Sequence, residues 1–100
     1  MYDNVIHMEG QAMVWFSELI WDDWNEEHIA RHDVRMSEAT EAVRNAPFLT
    51  RARDETYRVI GQTDAGRYLF IIVVPQILEA YYVVTARDAT RNERRDMRRH

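Results

Sequence analysis

The order of apolar and polar positions divides the chain into a helical first half and a sheet-like second half. Met13, Val14, Trp15, Phe16, Leu19, Ile20 and Trp21 form a broken apolar run that predicts a strand near its end, after a loosely held extension over residues 1–18. Acids follow at once. Asp22 or Asp23 offers a helix N-cap, and Asp23 with Glu26 has the spacing of a capping box. The helix should run to about His32, with acids in its first turn and His32 in its last, as the macrodipole prefers. Asp33 reads as a break. Ser37 is then the expected cap of a second helix with Ala39, Ala42 and Val43 turned inward, ended by Pro47.

The period then changes from helical to alternating. Thr56 to Gln62 reads as a strand, Asp64-Ala65-Gly66 as a turn, and Tyr68 to Val74 as a continuous β-branched and aromatic run. Such a run predicts a central strand buried on both faces, closed by Pro75. If these two strands form a hairpin, Arg58 and Arg67 should emerge near one another. Tyr81 to Thr85 predicts a further strand, and Thr90 with Glu93 repeats the capping-box spacing ahead of a final helix. The expected class is α+β: two N-terminal helices and a C-terminal helix packed on a small antiparallel sheet.

Length allows one domain, expected over residues 19–100. With 46% apolar and 30% charged residues the composition is that of a folded globular chain, which excludes a disordered or fibrous class. The chain has no cysteine, which excludes a disulfide framework and a thiolate metal site and suits a reducing compartment such as the cytoplasm. The run Tyr68–Val74 is far short of the ~20 apolar residues of a membrane span, and no secretory leader is evident, so no membrane association is expected. Charge sharpens this picture. The net charge of −4 conceals three Arg against ten acids in residues 1–50 and ten Arg against seven acids in residues 51–100. All 13 basic residues are Arg, whose planar fork suits phosphate and carboxylate, although Arg-rich codon usage is the favoured account of that bias. A polyanion would meet the C-terminal half and a basic partner the N-terminal half.

Four blocks carry a family resemblance. Trp21-Asp22-Asp23-Trp24-Asn25-Glu26-Glu27-His28-Ile29-Ala30-Arg31-His32-Asp33-Val34 resembles the opening motif of the BrnT-type toxin family, which reads Trp-Asp, an Asn, then His-Ile-x-x-His-x-Val. Ser37-Glu38 with Glu41-Ala42-Val43 follows, then Tyr57 to Leu69, then Val84 to Thr90 with Glu93-Arg94-Arg95. The blocks fall in the family's order and cover about residues 19–97. Asp33 stands where the family usually has Gly, and Met97 where it often has an aromatic residue. The resemblance implies a RelE-like α+β fold and a type II toxin that cleaves RNA without metal and arrests translation in a bacterial cytoplasm. It implies a ribbon-helix-helix antitoxin as partner, with DNA met only indirectly through that antitoxin. The alternative is a catalytically inactive member that binds the antitoxin and acts in promoter autorepression. A third reading is an unrelated α+β interaction module.

Metal-independent RNA cleavage needs a base for the 2′-hydroxyl proton, cations for the phosphorane and an acid for the leaving 5′-oxygen. His28 and His32 share one helix face, which fits acid–base chemistry, a two-His metal site, or packing and capping. Ile29 stands where the helical zinc motif has Glu, and no third ligand is evident, so neither metal nor cofactor is expected. Arg67 can be a turn residue held by a carboxylate or a phosphate clamp. Arg87 leaves the last strand where sites collect, and Glu93 can close its capping box or serve the site. The expected catalytic set is Arg67, Arg87, His28 and Glu93, converging on one spot. Arg58, Arg91, Arg94 and Arg95 are the expected substrate-binding set. Trp15, Trp21 and Trp24 read as core or partner interface. The acids around them would repel RNA and attract a basic antitoxin arm.

Overall fold

The computed structural model describes residues 18–46, 49–77 and 79–99, so Trp15, Pro47 and most of the expected N-terminal extension lie outside it. The chain runs β1 (Glu18–Ile20), α1 (Asp23–Ala30), α2 (Met36–Asn45), β2 (Leu49–Arg51), a single 3-10 turn (Arg53–Glu55), β3 (Tyr57–Gln62), β4 (Tyr68–Pro75), β5 (Ala80–Asp88) and α3 (Arg91–Arg99). The class is α+β, with three helices and a five-stranded sheet in the order β1-β5-β4-β3-β2. The expectation of an antiparallel sheet needs one correction. Strand β1 lies parallel to β5, with Glu18 opposite Ala80 and Ile20 opposite Tyr82, so the sheet is mixed. A parallel pair needs a long crossover, and here everything from α1 to β4 supplies it.

The helix boundaries follow local hydrogen bonding closely. The box of α1 begins one residue earlier than predicted. Asp22 Oδ1 accepts the Asn25 N–H at 3.0 Å and Asn25 Oδ1 accepts the Asp22 N–H at 2.8 Å, so Asn25 replaces Glu26 as the reciprocal partner. At the other end Asp33 takes φ 64°. Its N–H meets the Ala30 carbonyl and that of Val34 meets the Ile29 carbonyl, which is the Schellman closure that glycine usually makes. Helix α2 is capped at Arg35, whose N–H is accepted by Glu38 Oε1 at 3.0 Å, and Ser37 sits inside the first turn instead of at the cap. The predicted Thr90–Glu93 box forms in both directions.

One face of the sheet carries the core. Leu69, Ile71 and Val73 of β4 are buried with Val59, Val83 and Ala86 against Ile29, Val34, Ala39, Ala42 and Val43. Each Val, Leu or Ile among them stabilises the fold by about 1.5–3 kcal/mol. Helix α2 reaches β3 at Gly61, where a β-carbon would overlap the carbonyl of Ala42. The alternate residues Tyr68, Phe70, Ile72 and Val74 are half-buried, because α2 packs on the first face and α3 covers only part of the second. Central position for β4 is therefore correct and burial on both faces is not. Strand β5 is longer than the predicted Tyr81–Thr85. A bulge lets Ile72 face Thr85 while Val73 faces Val83, so Val84 is the extra residue.

Candidate functional site

The half-covered face of the sheet gathers the arginines. Cross-strand pairing sets Arg87 opposite Phe70, and its guanidinium carbon lies 4.0 Å from the ring centroid. Helix α3 then presents Glu93 to the same fork: Arg87 Nη1 donates to Oε1 and Nη2 to Oε2, both at 3.0 Å. This is the two-point geometry with which arginine also binds phosphate. Nη1 donates further to the Asp88 carbonyl at 3.0 Å. Glu93 Oε1 also accepts the Thr90 N–H, so one carboxylate both caps α3 and holds Arg87. Its hydrogen bonds to Arg87 hold the Glu93 carboxyl below the usual range against an opposing push from burial, and Arg87 is raised in turn, chiefly by Glu93. Beside this pair Arg94 lies over Tyr68, 5.3 Å from the ring centroid, and Arg58 of β3 approaches Asp96 of α3 at 3.6 Å. Arg91 and Arg95 are exposed on the same helix.

Arg67 belongs to the other face. It precedes β4 in phase with Leu69 and Ile71, and its Nε donates to Asp88 Oδ1 at 2.8 Å. Nη1 donates to the Asp33 carbonyl at 2.8 Å and to Glu38 Oε1 at 3.1 Å. The side chain thus ties the α1–α2 turn to the end of the sheet. Asp88 is the chief cause of a raised Arg67 pKa, while Glu38 is lowered first by the Arg35 N–H and then, against burial, by Arg67. Arg67 and Arg87 therefore meet Asp88 from opposite faces, one at its carboxylate and one at its carbonyl. Arg58 and Arg67 do not emerge together. Arg58 pairs with Ile72, five residues along β4 from Arg67, a separation of roughly 17 Å along the strand as well as a change of face.

His28 of α1 reaches the half-covered face, because Thr85, its partner, pairs with Ile72 and shares the parity of Arg87. Its Nε2 is 3.2 Å from Thr85 Oγ1, its ring stacks on Trp24 at 4.8 Å, and His32 meets it edge-on at 5.5 Å. Among the described residues no group of three His, Asp or Glu is placed to hold a metal ion. Trp24 is 56% exposed, so it is a surface residue, whereas Trp21 packs against the core. The expected catalytic set is accordingly divided: Arg87 and Glu93 pair beneath α3 with Arg58 and Arg94 on the same face, His28 reaches that face at Thr85, two residues along β5 from Arg87, and Arg67 lies on the core face.

Four contributors went unread in the sequence. Phe70 and Tyr68 form the floor beneath the guanidiniums, which their shared strand parity signals. Asp96 holds Arg58, with no local signal beyond its position on α3. Asn25, fully buried, donates both amide hydrogens across the fold, to the Ile20 carbonyl at 3.0 Å and the Val83 carbonyl at 2.9 Å. It anchors α1 to β1 and β5 and is the Asn of the opening motif.

No protein-family model matches the chain, and no curated protein matches it. Among solved structures the fold is similar to that of the Brucella abortus ribonuclease toxin BrnT, determined at 1.1 Å resolution, with a TM-score of 0.60 and 21% identity. The match covers 74% of this chain and 97% of that one. No helix among the described residues is long and apolar enough to cross a membrane.

Proposed function

We propose that the chain is a BrnT-type toxin of a type II toxin–antitoxin system and that it cleaves RNA at the face beneath α3. The observation that carries the reading is the Arg87–Glu93 fork over Phe70, flanked by Arg58 and Arg94, on a fold shared with a ribonuclease toxin. A phosphodiester seated on Arg87 would place the phosphorane's developing charge on a fixed cation. Glu93, the nearest carboxylate to that cation, takes the 2′-hydroxyl proton, the 2′-oxygen bonds to phosphorus, and the 5′-oxygen departs with that proton, leaving a 2′,3′-cyclic phosphate. No step needs a metal ion or other cofactor. Arg58, Arg91, Arg94 and Arg95 hold the flanking phosphates. Arg67, tied on the core face to Asp88, Asp33 and Glu38, holds the fold around this site, and His28, beside Thr85 on the same face as Arg87, borders it.

The partner we propose is a ribbon-helix-helix antitoxin, met through the acidic N-terminal half, with DNA reached only through that antitoxin. A cytoplasmic protein that arrests translation completes this reading. The net charge of −4 and the carboxylates already seated on Arg87 and Arg58 favour the second reading, an inactive antitoxin-binding partner in promoter autorepression. Inducible expression with and without the product of the adjacent open reading frame, followed by mapping of RNA ends, separates the two. Growth arrest with new RNA ends, relieved by the neighbour, supports the toxin. Tight binding to the neighbour with no new ends supports the inactive partner.

A further inference from the structure

Helix α3 carries two acids, Glu93 and Asp96, one turn apart, and both lie on arginines of the sheet. Glu93 takes the fork of Arg87 and Asp96 approaches Arg58. Residues i and i+3 on a helix are neighbours about 5–6 Å apart at Cβ. The pair therefore presents two negative charges in a row, as a nucleic-acid strand presents successive phosphates. Among the described side chains the helix has little else to hold it. Residues 91–96 are Arg, Asn, Glu, Arg, Arg and Asp, so none is an aliphatic residue, and ion pairs, together with Arg94 over Tyr68, join them to the sheet. The Arg58–Asp96 pair is long and the Asp96 side chain is 47% exposed, so water and salt weaken it.

Resting on the ribonuclease reading above, we propose that Arg58 and Arg87 form a two-point phosphate site for single-stranded RNA. In the free chain α3 fills that site with its own carboxylates, so that RNA binds by exchanging phosphates for Glu93 and Asp96. The exchange has a chemical consequence. Glu93 is held acidic by Arg87, and a carboxylate released from that cation regains the basicity that proton abstraction requires. Substrate entry thus arms the base. The arginines of α3 stay beside the strand after the carboxylates leave, so the helix changes from occupant to clamp.

The test uses the full chain and a fluorescein-labelled 2′-O-methyl RNA oligomer, which binds but lacks the hydroxyl needed for cleavage. Binding is followed by anisotropy at low and moderate salt for the wild type, Glu93→Gln, Asp96→Asn and Asp54→Asn. Gln is accepted in a capping box, so E93Q keeps the start of α3. Freeing a bidentate charged fork should tighten binding about tenfold in E93Q, and freeing an exposed pair about threefold in D96N. None of the described ion pairs involves Asp54, and D54N, which makes the same change in net charge, should stay within about twofold. Unchanged or weaker binding by both E93Q and D96N overturns the exchange, as does equal tightening by D54N. Should E93Q fail to fold, D96N alone decides. Cleavage of unmodified RNA is read separately. Tighter binding by the variants with no cleavage by the wild type keeps the exchange and removes the ribonuclease reading. Cleavage by the wild type without tighter binding does the reverse.

Discussion

Replacing Asn25 by alanine removes three hydrogen bonds at once from a fully buried position. The Asp22 N–H loses its acceptor, and the carbonyls of Ile20 and Val83 lose their donor. Val83 is itself fully buried, so water cannot replace the amide there. An unsatisfied buried polar group costs about 1–3 kcal/mol. One such carbonyl, a second in part solvated, and a broken cap sum to about 3–5 kcal/mol, a large share of the 5–15 kcal/mol that holds a domain of this size. Asn25→Asp is the sharper variant. It keeps shape and the Oδ1 acceptor but turns an oxygen toward two carbonyls, so near neutral pH it should cost at least as much. Protonation restores one donor, which raises the folded-state pKa of that Asp, so the penalty should shrink as pH falls. Urea unfolding read by the tryptophans would measure both, with stability compared at constant slope. A loss under about 1 kcal/mol for both variants would refute the view that this amide joins α1 to two strands.

Three further outcomes are expected. Gly61→Ala should destabilise the chain by about 1–3 kcal/mol or more, because the new methyl meets the backbone of Ala42, which cannot rotate away; a thermal melt within a degree of wild type would contradict this. Arg67→Ala should lower the melting temperature by unpicking Asp88, Asp33 and Glu38, at a cost of about 1.5–3 kcal/mol, while leaving affinity for the uncleavable oligomer within about twofold; a large loss of binding with an unchanged melt would return Arg67 to the substrate. Glu93 and Glu38 are both held below the ordinary value of 4.5. Their contribution to stability is therefore complete above about pH 4.5 and is lost as pH falls through their lower folded values. Melting temperature should be steady across the neutral range with respect to these groups and fall in acid, and Glu38→Gln with Glu93→Gln should flatten the acid limb.

The sequence made the elements legible where one residue type admits one local geometry. The run Tyr68–Val74 could only be an inner strand, and Thr90 with Glu93 could cap a helix in both directions. Cap positions slipped where a second residue does the same work: Asn25 closes the α1 box as well as Glu26 would. Strand β2 is three residues long, too short for alternation to register. Periodicity says nothing of a strand's partner, so β1 gave no sign of lying parallel to β5. The division of the arginines was half legible. Arg67 shares parity with Leu69 and Ile71, which places it on the core face. Arg87 could be placed only through its pairing with Phe70, on a strand whose bulge shifts every later position by one. His28 sat on a readable helix, but which side of the sheet that helix would cover was not written in its own residues.

The most direct test of the account is single-turnover cleavage of a single-stranded RNA by the purified chain in excess chelator, comparing wild type with Arg87→Gln. Wild type should yield 2′,3′-cyclic phosphate ends. The variant, with far-UV circular dichroism unchanged, should be slower by about 10²–10³, the usual effect of removing one group that stabilises transition-state charge. A folded Arg87→Gln chain that cleaves as fast as wild type would contradict the account and move the chemistry away from the face beneath α3.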